Sequence, residues 1–366
     1  YFSSNLQPHL NPQQKGYPMN IPEIKVSEMD RWLTDCGKDK EEGGGPVWFH
    51  GPSGIGKTMI VETHRRALAK SLGLTFHEVG QPFTMKDPDR TYGFLDLRCA
   101  LLDSLDVKGA ALADKEQDVT RFLPPSLLPN IERHGRYGTL VLDDLPTGFP
   151  TTVLAFSSLV SDSRVGDAYR FPPEWTIVAM GNRKEDNSGV QKMPAMMYNR
   201  FEHATVLPDV VSLAGFMNEN GSDGVLPAFL RVCPEYVHNY TRDAVAFCSP
   251  RSLVKADKVY TKIKDDDEYR EKRLAGCCGV EFATKFSAFL AMKNKLVPWR
   301  QIVKDPQGVH IPTQADDQGI GALYAMIAIA GHNVDKDTID VAVDYVERFP
   351  EGFQVCFFLD LKAKKP

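Results

Sequence analysis

Short apolar runs alternate with longer amphipathic stretches between residues 46 and 206. The apolar runs predict strands at Val47–Phe49, Thr75–Val79, Thr139–Asp144, Trp175–Gly181 and His203–Leu207. The third and fourth runs are continuously apolar, which is typical of central strands buried on both faces of a parallel sheet. Helical patterns follow the first run ("KTMIVETHRRALAKSL") and the third ("TTVLAFSSLVSD"). This order predicts an α/β fold with a doubly wound parallel sheet and flanking helices.

The pattern changes after Pro208, where helical periodicity replaces the short apolar runs. We therefore expect a domain boundary near Leu207–Val211. The predicted organisation has three parts: an N-terminal arm with a short helix ("SEMDRWLTDC") over residues 1–40, an α/β domain over residues 41–208, and a mainly helical region over residues 209–366.

Composition and charge narrow the class of partner. The chain is 42% apolar and 25% charged, as in an ordinary globular protein. Its formal net charge of −5 and pI near 6.0 argue against a surface that coats nucleic acid, which needs a positive face. A small local basic channel stays open as an alternative.

Cysteine usage and hydropathy bear on location. The seven cysteines are scattered without a C-x-x-C motif, which fits free thiols in a reducing compartment. The longest apolar stretch, "ALYAMIAIAG", is too short to span a bilayer, and the first residues lack the layout of a signal peptide. We expect a cytoplasmic protein without membrane association.

The stretch "GPSGIGKTMI" matches the phosphate-loop pattern G-x-x-x-x-G-K-[ST] and stands between a predicted strand and a predicted helix. Its glycines let backbone N–H groups converge on phosphate oxygens, Lys57 reaches the β- and γ-phosphates, and the Thr58 hydroxyl binds Mg²⁺. The helix that begins here adds its positive dipole end. The predicted nucleotide-binding residues are Gly51, Pro52, Ser53, Gly54, Ile55, Gly56, Lys57, Thr58 and Met59.

An acidic pair ends the apolar run "TLVLDD". Nucleotide hydrolysis needs one carboxylate near the metal and a second group that orients the attacking water. We assign Asp143 to Mg²⁺, together with Thr58, and Asp144 to the water. An acidic pair at a strand end is otherwise an ordinary solvated turn, and the phosphate loop upstream favours the catalytic interpretation.

The segment "WTIVAMGNRKEDNSGVQKMPAMMYNRFEHATV" resembles the AAA+ ATPases of the MoxR type. The resemblance implies that Asn182 is a sensor near the γ-phosphate and that Arg200 is a finger inserted into the neighbouring subunit's site. "FCSPRSL" resembles the second-sensor motif, which implies that Arg251 reaches back to the nucleotide from a helical lid. The insertions after Leu101 and before Trp175, and the C-terminal tail, are also similar to this branch.

This resemblance implies an ATP-hydrolysing, Mg²⁺-dependent motor or chaperone that remodels a protein partner. A finger supplied in trans makes the active site a subunit interface, so a homo-oligomeric, hexameric ring is expected. The resemblance also implies a partner with a von Willebrand factor A domain. No aromatic-hydrophobic pore loop of the unfoldase kind is visible.

One departure from the family pattern opens alternatives. Most members carry Asp-Glu where this chain has Asp143–Asp144, and the shorter side chain predicts slow hydrolysis. A DNA-associated loader or translocase is the second hypothesis, because Asp-Asp also occurs in related loaders and because Arg164 and Arg170 of "SDSRVGDAYRF" suit a central channel, although the acidic net charge weighs against it. A nucleotide-sensing scaffold that barely hydrolyses ATP is the third. Arg183 faces a phosphate or forms a structural salt bridge; the sequence leaves both open.

Overall fold

The computed structural model describes residues 21–37, 44–116, 118–183, 186, 190–191, 193–241, 244–311 and 317–363. The strands are β1 (Glu23–Lys25), β2 (Val47–His50), β3 (Thr75–Glu78), β4 (Thr91–Arg98), β5 (Ala110–Asp114), β6 (Val119–Leu123), β7 (Tyr137–Asp143), β8 (Arg164–Val165), β9 (Tyr169–Arg170), β10 (Trp175–Gly181) and β11 (Glu202–Leu207).

Seven of these strands form one sheet in the order β1-β11-β2-β10-β7-β4-β3. Every neighbouring pair is parallel. The carboxyl ends of all seven strands therefore lie along one edge of the sheet, where ligands of open α/β sheets bind. The remaining four strands form two antiparallel hairpins, β5–β6 and β8–β9.

The helices are α1 (Met29–Cys36), α2 (Lys57–Ser71), α3 (Ser104–Lys108), α4 (Ile131–His134), α5 (Pro150–Asp162), α6 (Ala195–Tyr198), α7 (Val210–Glu219), α8 (Val225–Val232), α9 (Pro250–Lys262), α10 (Asp267–Cys278), α11 (Val280–Lys293), α12 (Trp299–Lys304), α13 (Asp317–Asn333), α14 (Ile339–Val346) and α15 (Glu351–Ala363). In the described chain, none of these helices is long and apolar enough to cross a membrane.

The sheet is buried on both faces because successive side chains of its central strands point in opposite directions. In β7, Leu140 and Leu142 pack into a core that includes Phe156 of α5. Val141, between them, packs into the opposite core with Val61 of α2. The α/β class predicted from the sequence is confirmed.

All the described elements after Leu207 are helical. Helices α7–α11 and α13 share one core built around Phe229, Phe282 and Phe286. A second core around Tyr345 and Phe357 holds α12–α15 together. This agrees with the mainly helical C-terminal region expected from the periodicity, while the division of the chain into domains at residues 40 and 208 stays a prediction.

The sequence analysis missed two strands of the sheet. β1 pairs with β11 at the sheet edge, and Ile24 packs into the core below α2, so this segment belongs to the sheet. β4 lies between β7 and β3, and it approaches its neighbours closely at Gly93, where a Cβ would lie 2.4 Å from the carbonyl oxygen of His134. The five strands that the sequence predicted are all present within about one or two residues of their expected ends.

Candidate functional site

The loop from Gly51 to Gly56 leaves β2 at the carboxyl edge of the sheet and enters α2. A Cβ on Gly51 would lie 2.6 Å from the carbonyl oxygen of Val206, so only glycine lets the chain turn between the strand ends. Gly54 and Gly56 have φ values of +81° and +91°, a left-handed conformation that side chains disfavour. The strand–loop–helix arrangement expected for a phosphate loop is therefore present.

Lys57 lies at the mouth of this loop and is 8% exposed. Its Nζ donates hydrogen bonds to the carbonyl oxygens of Gly51 (2.8 Å) and Pro52 (3.0 Å), and to Asn182 Oδ1 at 3.4 Å. Burial lowers the pKa of Lys57 to about 8, and the carboxylate of Asp143 opposes that shift. The predicted phosphate ligand and the predicted sensor thus touch each other.

Thr58, the next residue of α2, contacts Asp143. The Thr58 hydroxyl donates to Asp143 Oδ2 at 3.1 Å across the gap between α2 and the end of β7. A hydroxyl and a carboxylate are the oxygen donors that Mg²⁺ takes from proteins when phosphates and water supply its other ligands. These two residues therefore fit a magnesium ion. The described residues contain no cluster of three or more His, Cys, Asp or Glu side chains suited to a metal. The two residues therefore suit an ion whose other ligands come from phosphates and water, and not an ion enclosed by protein ligands alone.

Asp144 follows Asp143 in a left-handed conformation with φ at +51°. Its backbone N–H donates to Asp143 Oδ1 at 3.0 Å, which orients the Asp143 carboxylate. Burial, together with the charge of Asp143, raises the pKa of Asp144. The chain then turns at Pro146, which packs against Gly181. A Cβ on Gly181 would lie 2.3 Å from Pro146 Cδ. This close approach brings the ends of β7 and β10 together.

The helical region contributes Arg251 at the start of α9. The Arg251 N–H donates to the Gly54 carbonyl at 3.0 Å, so the first turn of α9 is tied directly to the loop. The packing here is tight, because a Cβ on Gly54 would lie 3.0 Å from Ser249 Oγ. Ser249 is the N-cap of α9 and accepts from the Ser252 N–H.

These groups border one cleft of about 590 Å³ between the sheet edge and the helical region. The predicted residues that line it are Ser53, Gly54, Ile55, Gly56, Lys57, Thr58, Met59, Asp143, Asp144, Asn182 and Arg251. Gly51 and Pro52 lie below, where their carbonyl groups hold Lys57.

Arg200 does not line this cleft. It lies just before β11, at the amino ends of the parallel strands, whereas the cleft lies at their carboxyl ends. β11 has six residues, so the two edges are separated by roughly 20 Å at about 3.3 Å per residue. Arg200 Nη1 is buried and has no hydrogen-bond partner in the described part of the chain. Arg183, in contrast, donates to Asp186 through its backbone and side chain, which favours the salt-bridge interpretation.

A histidine pair connects the phosphate loop with the segment around Arg200. Nε2 of His50, the last residue of β2, lies 2.8 Å from Nδ1 of His203. The other ring nitrogen of His203, Nε2, lies 2.6 Å from the carbonyl oxygen of Tyr198. Because a carbonyl only accepts, His203 carries a proton on Nε2, and in its neutral form its Nδ1 accepts from His50. Burial lowers the pKa of His50 to about 3, so this ring is neutral at physiological pH.

The cleft also contains residues that the sequence analysis missed. Arg98 ends β4 directly opposite Asp143, and it went unnoticed because β4 itself was not predicted. At the other end, Val26, Asp209 and Phe216 line the cleft. Asp209 carried a signal, since Asp before a helix, with Ser three residues on, is an N-cap pattern, but that pattern indicates a helix start and not a ligand.

No protein-family model and no curated protein sequence matches the chain. Among solved structures, NtrX from Brucella abortus aligns with a TM-score of 0.41 and 14% identity over 94% of this chain and 68% of that one. A RuvB mutant from Thermotoga maritima aligns with a TM-score of 0.37 and 16% identity over 89% and 88% of the two chains. At such values these likenesses bear neither on the chain's family nor on its chemistry.

Proposed function

We propose that this chain is a Mg²⁺-dependent ATPase of the AAA+ type and the MoxR branch, which works as a homo-oligomeric ring. The observation that carries the proposal is the meeting of Lys57, Asn182 and the Thr58–Asp143 pair at one end of a single cleft. Each of these groups has the chemistry that phosphoryl transfer from a nucleoside triphosphate requires at its position.

In this proposal the chain's own residues do three things. The N–H groups of the loop and Lys57 hold the phosphates, and Thr58 with Asp143 would hold Mg²⁺, which neutralises charge on the β- and γ-phosphates. Asp144 orients a water molecule and accepts its proton. The water oxygen then bonds to the γ-phosphorus as the bond to the β–γ bridging oxygen breaks, leaving ADP and phosphate.

Arg200 supplies the argument for a ring. It lies too far from its own cleft to reach a bound nucleotide, and its buried Nη1 lacks a partner among the described residues. A neighbouring subunit's cleft would give this cation a triphosphate to neutralise, and such a finger is worth about 10³–10⁵ in rate. The hexameric state and a partner with a von Willebrand factor A domain are proposed on the family resemblance.

The experiment that tests this proposal is ATP turnover per chain as a function of protein concentration. Because each site needs the neighbour's Arg200, turnover per chain should rise with concentration and level off when sedimentation velocity shows complete assembly. Constant turnover per chain from monomer to oligomer would contradict the composite site. Absence of ATP binding would contradict the proposal as a whole.

One observation favours the DNA-associated alternative. Arg164 and Arg170 lie directly opposite each other across the β8–β9 hairpin, and both are exposed. Like charges placed in this way repel one another, and neither has an ion-pair partner in the described chain, so an anionic partner would relieve the repulsion. Stimulation of the ATPase by DNA, weakening steeply with salt, would support this alternative; an ATPase indifferent to DNA would exclude it.

A further inference from the structure

The end of the cleft that lies away from the catalytic groups has its own composition. Asn182 and Asp143 follow β10 and β7, which lie on one side of β2. β11 and β1 lie on the other side of β2, and Asp209 and Val26 follow them. Neighbouring strands are about 4.8 Å apart, so Asp209, after β11, lies one strand from the phosphate loop, and Val26, after β1, lies two strands from it.

The direction of a bound nucleotide follows from this order. If the γ-phosphate meets Lys57, Asn182 and Asp143, as proposed above, the rest of the nucleotide must extend along the cleft toward β11 and β1. There the lining is mostly apolar, and it includes Val26, Pro208, Leu213 and Phe216. Apolar walls with one or two fixed polar groups are how proteins hold and select a planar ring.

Asp209 is the one carboxylate among the lining residues at this end of the cleft. Its Oδ1 accepts from the Ser212 N–H at 2.8 Å and thereby caps α7. Its Oδ2 is buried and has no hydrogen-bond partner within the described residues. An ionised carboxylate can only accept, and a buried acceptor without a donor is costly, so Oδ2 calls for an N–H or O–H from a ligand.

We propose that Asp209 selects the base of the bound nucleotide, its Oδ2 accepting a hydrogen bond from the 6-amino group of adenine. The triphosphate offers only acceptors, and the ribose lies nearer the phosphate loop, so the donor at this end of the cleft must come from the base. The 6-amino group of adenine is such a donor, whereas inosine and guanine carry an acceptor oxygen at the same position. This inference rests on the proposed function, because it assumes the direction in which the nucleotide lies.

The substitution Asp209→Asn tests this role without removing the cap of α7. Asn caps helices about as well as Asp, so its Oδ1 can still accept from the Ser212 N–H. Its amide NH₂ then takes the place of Oδ2 and presents a donor where the wild type presents an acceptor. The matched control is Asp266→Asn, since Asp266 caps α10 through the Tyr269 N–H and does not line the cleft.

Binding of ATP, ITP and purine riboside triphosphate to the full chain is measured by equilibrium titration. We expect the wild type and Asp266→Asn to bind ATP roughly 10- to 100-fold more tightly than either analogue, which is the range for one hydrogen bond to a charged group. Asp209→Asn should lose this preference for ATP and favour ITP, with an unchanged melting temperature.

The outcomes separate the two proposals. Equal binding of all three nucleotides by the wild type, or an ATP preference that survives in Asp209→Asn, would overturn the role of Asp209 and leave the ATPase proposal standing. Tighter binding of ITP than of ATP by the wild type would overturn the assignment to the 6-amino group. Failure of every nucleotide to bind would overturn the proposed function itself.

Discussion

The phosphate end of the cleft lies at the carboxyl ends of the parallel strands, and the segment around Arg200 lies at their amino ends. The charged groups of these two regions differ in how many of their hydrogen-bonding atoms have a partner. At the carboxyl edge, Lys57 has three hydrogen-bond acceptors and Thr58 bonds to Asp143. At the amino edge, Arg200 keeps a buried nitrogen atom without a partner in the described chain. Under the proposed function, one chain supplies the phosphate-binding part of a site, and its Arg200 completes the site of a neighbouring subunit.

This difference suggests how the two halves divide the work. The phosphate end is fixed by backbone contacts that need no ligand, such as the hydrogen bond that the Gly51 N–H donates to the Gly181 carbonyl oxygen at 3.1 Å. Arg200 precedes β11, whose backbone pairs with β2, and this pairing holds Arg200 one strand length away from the cleft of its own chain. Binding is therefore expected to depend on one subunit, and turnover on two.

The largest single effect is expected at the phosphate end. Lys57→Ala removes the ammonium group from the mouth of the loop and should lower ATP affinity and turnover by about 10²–10³-fold, the usual cost of losing one electrostatic stabiliser. Lys70→Ala, an exposed lysine in the last turn of the same helix, is the control and should behave as the wild type. Unchanged nucleotide affinity in Lys57→Ala would show that the loop does not bind phosphate.

A smaller effect in the opposite direction is expected for Asp144→Glu. The added methylene group brings the carboxylate nearer the attacking water, and turnover should rise about tenfold if distance limits the wild type. Asp143→Glu makes the same chemical change at the predicted metal ligand and should lower turnover. Slower turnover in Asp144→Glu than in the wild type would contradict the role given to this position, and full assembly with near-zero wild-type turnover would favour the scaffold alternative.

The smallest effect concerns pH. The phosphates bind the ammonium form of Lys57, whose pKa in the folded chain burial lowers to about 8. Below that value the group is already charged, and above it binding must take up a proton. ATP affinity should therefore be flat below about pH 8 and fall by up to about tenfold per unit above it. Calorimetry in buffers of different ionisation enthalpy would detect the proton, and affinity independent of pH up to about pH 9.5 would contradict the account.

Much of the fold was predictable because the central strands carry a local signal. The apolar runs that became β7 and β10 are buried on both faces, so their composition alone marks them. β1 has only three residues, with a single buried side chain, and no pattern distinguishes it from a loop. β4 carries the charged residues Asp96 and Arg98 in its second half. They interrupt the apolar run that would otherwise predict a buried strand.

The site divides in the same way. Motif spacing located Lys57, Thr58 and Asp143, since their positions follow from one strand–loop–helix unit and from the end of β7, a central strand of the same sheet. Asp209 and Val26 line the same end of the cleft because β11 and β1, which are far apart in sequence, are paired in the sheet. The sequence alone does not reveal this pairing. The position of Arg200 outside its own cleft also depends on topology, since a parallel strand separates it from the phosphate loop.

The measurement that tests the composite site most directly mixes two inactive variants. Lys57→Ala binds ATP only weakly but keeps its Arg200, and Arg200→Ala binds ATP but lacks the finger. In a randomly mixed ring, about a quarter of the interfaces pair an intact cleft with an intact Arg200. We expect each variant alone to be inactive and the equal mixture to recover about a quarter of wild-type turnover. Normal turnover by Arg200→Ala alone, or no recovery in mixtures that assemble fully, would contradict the account.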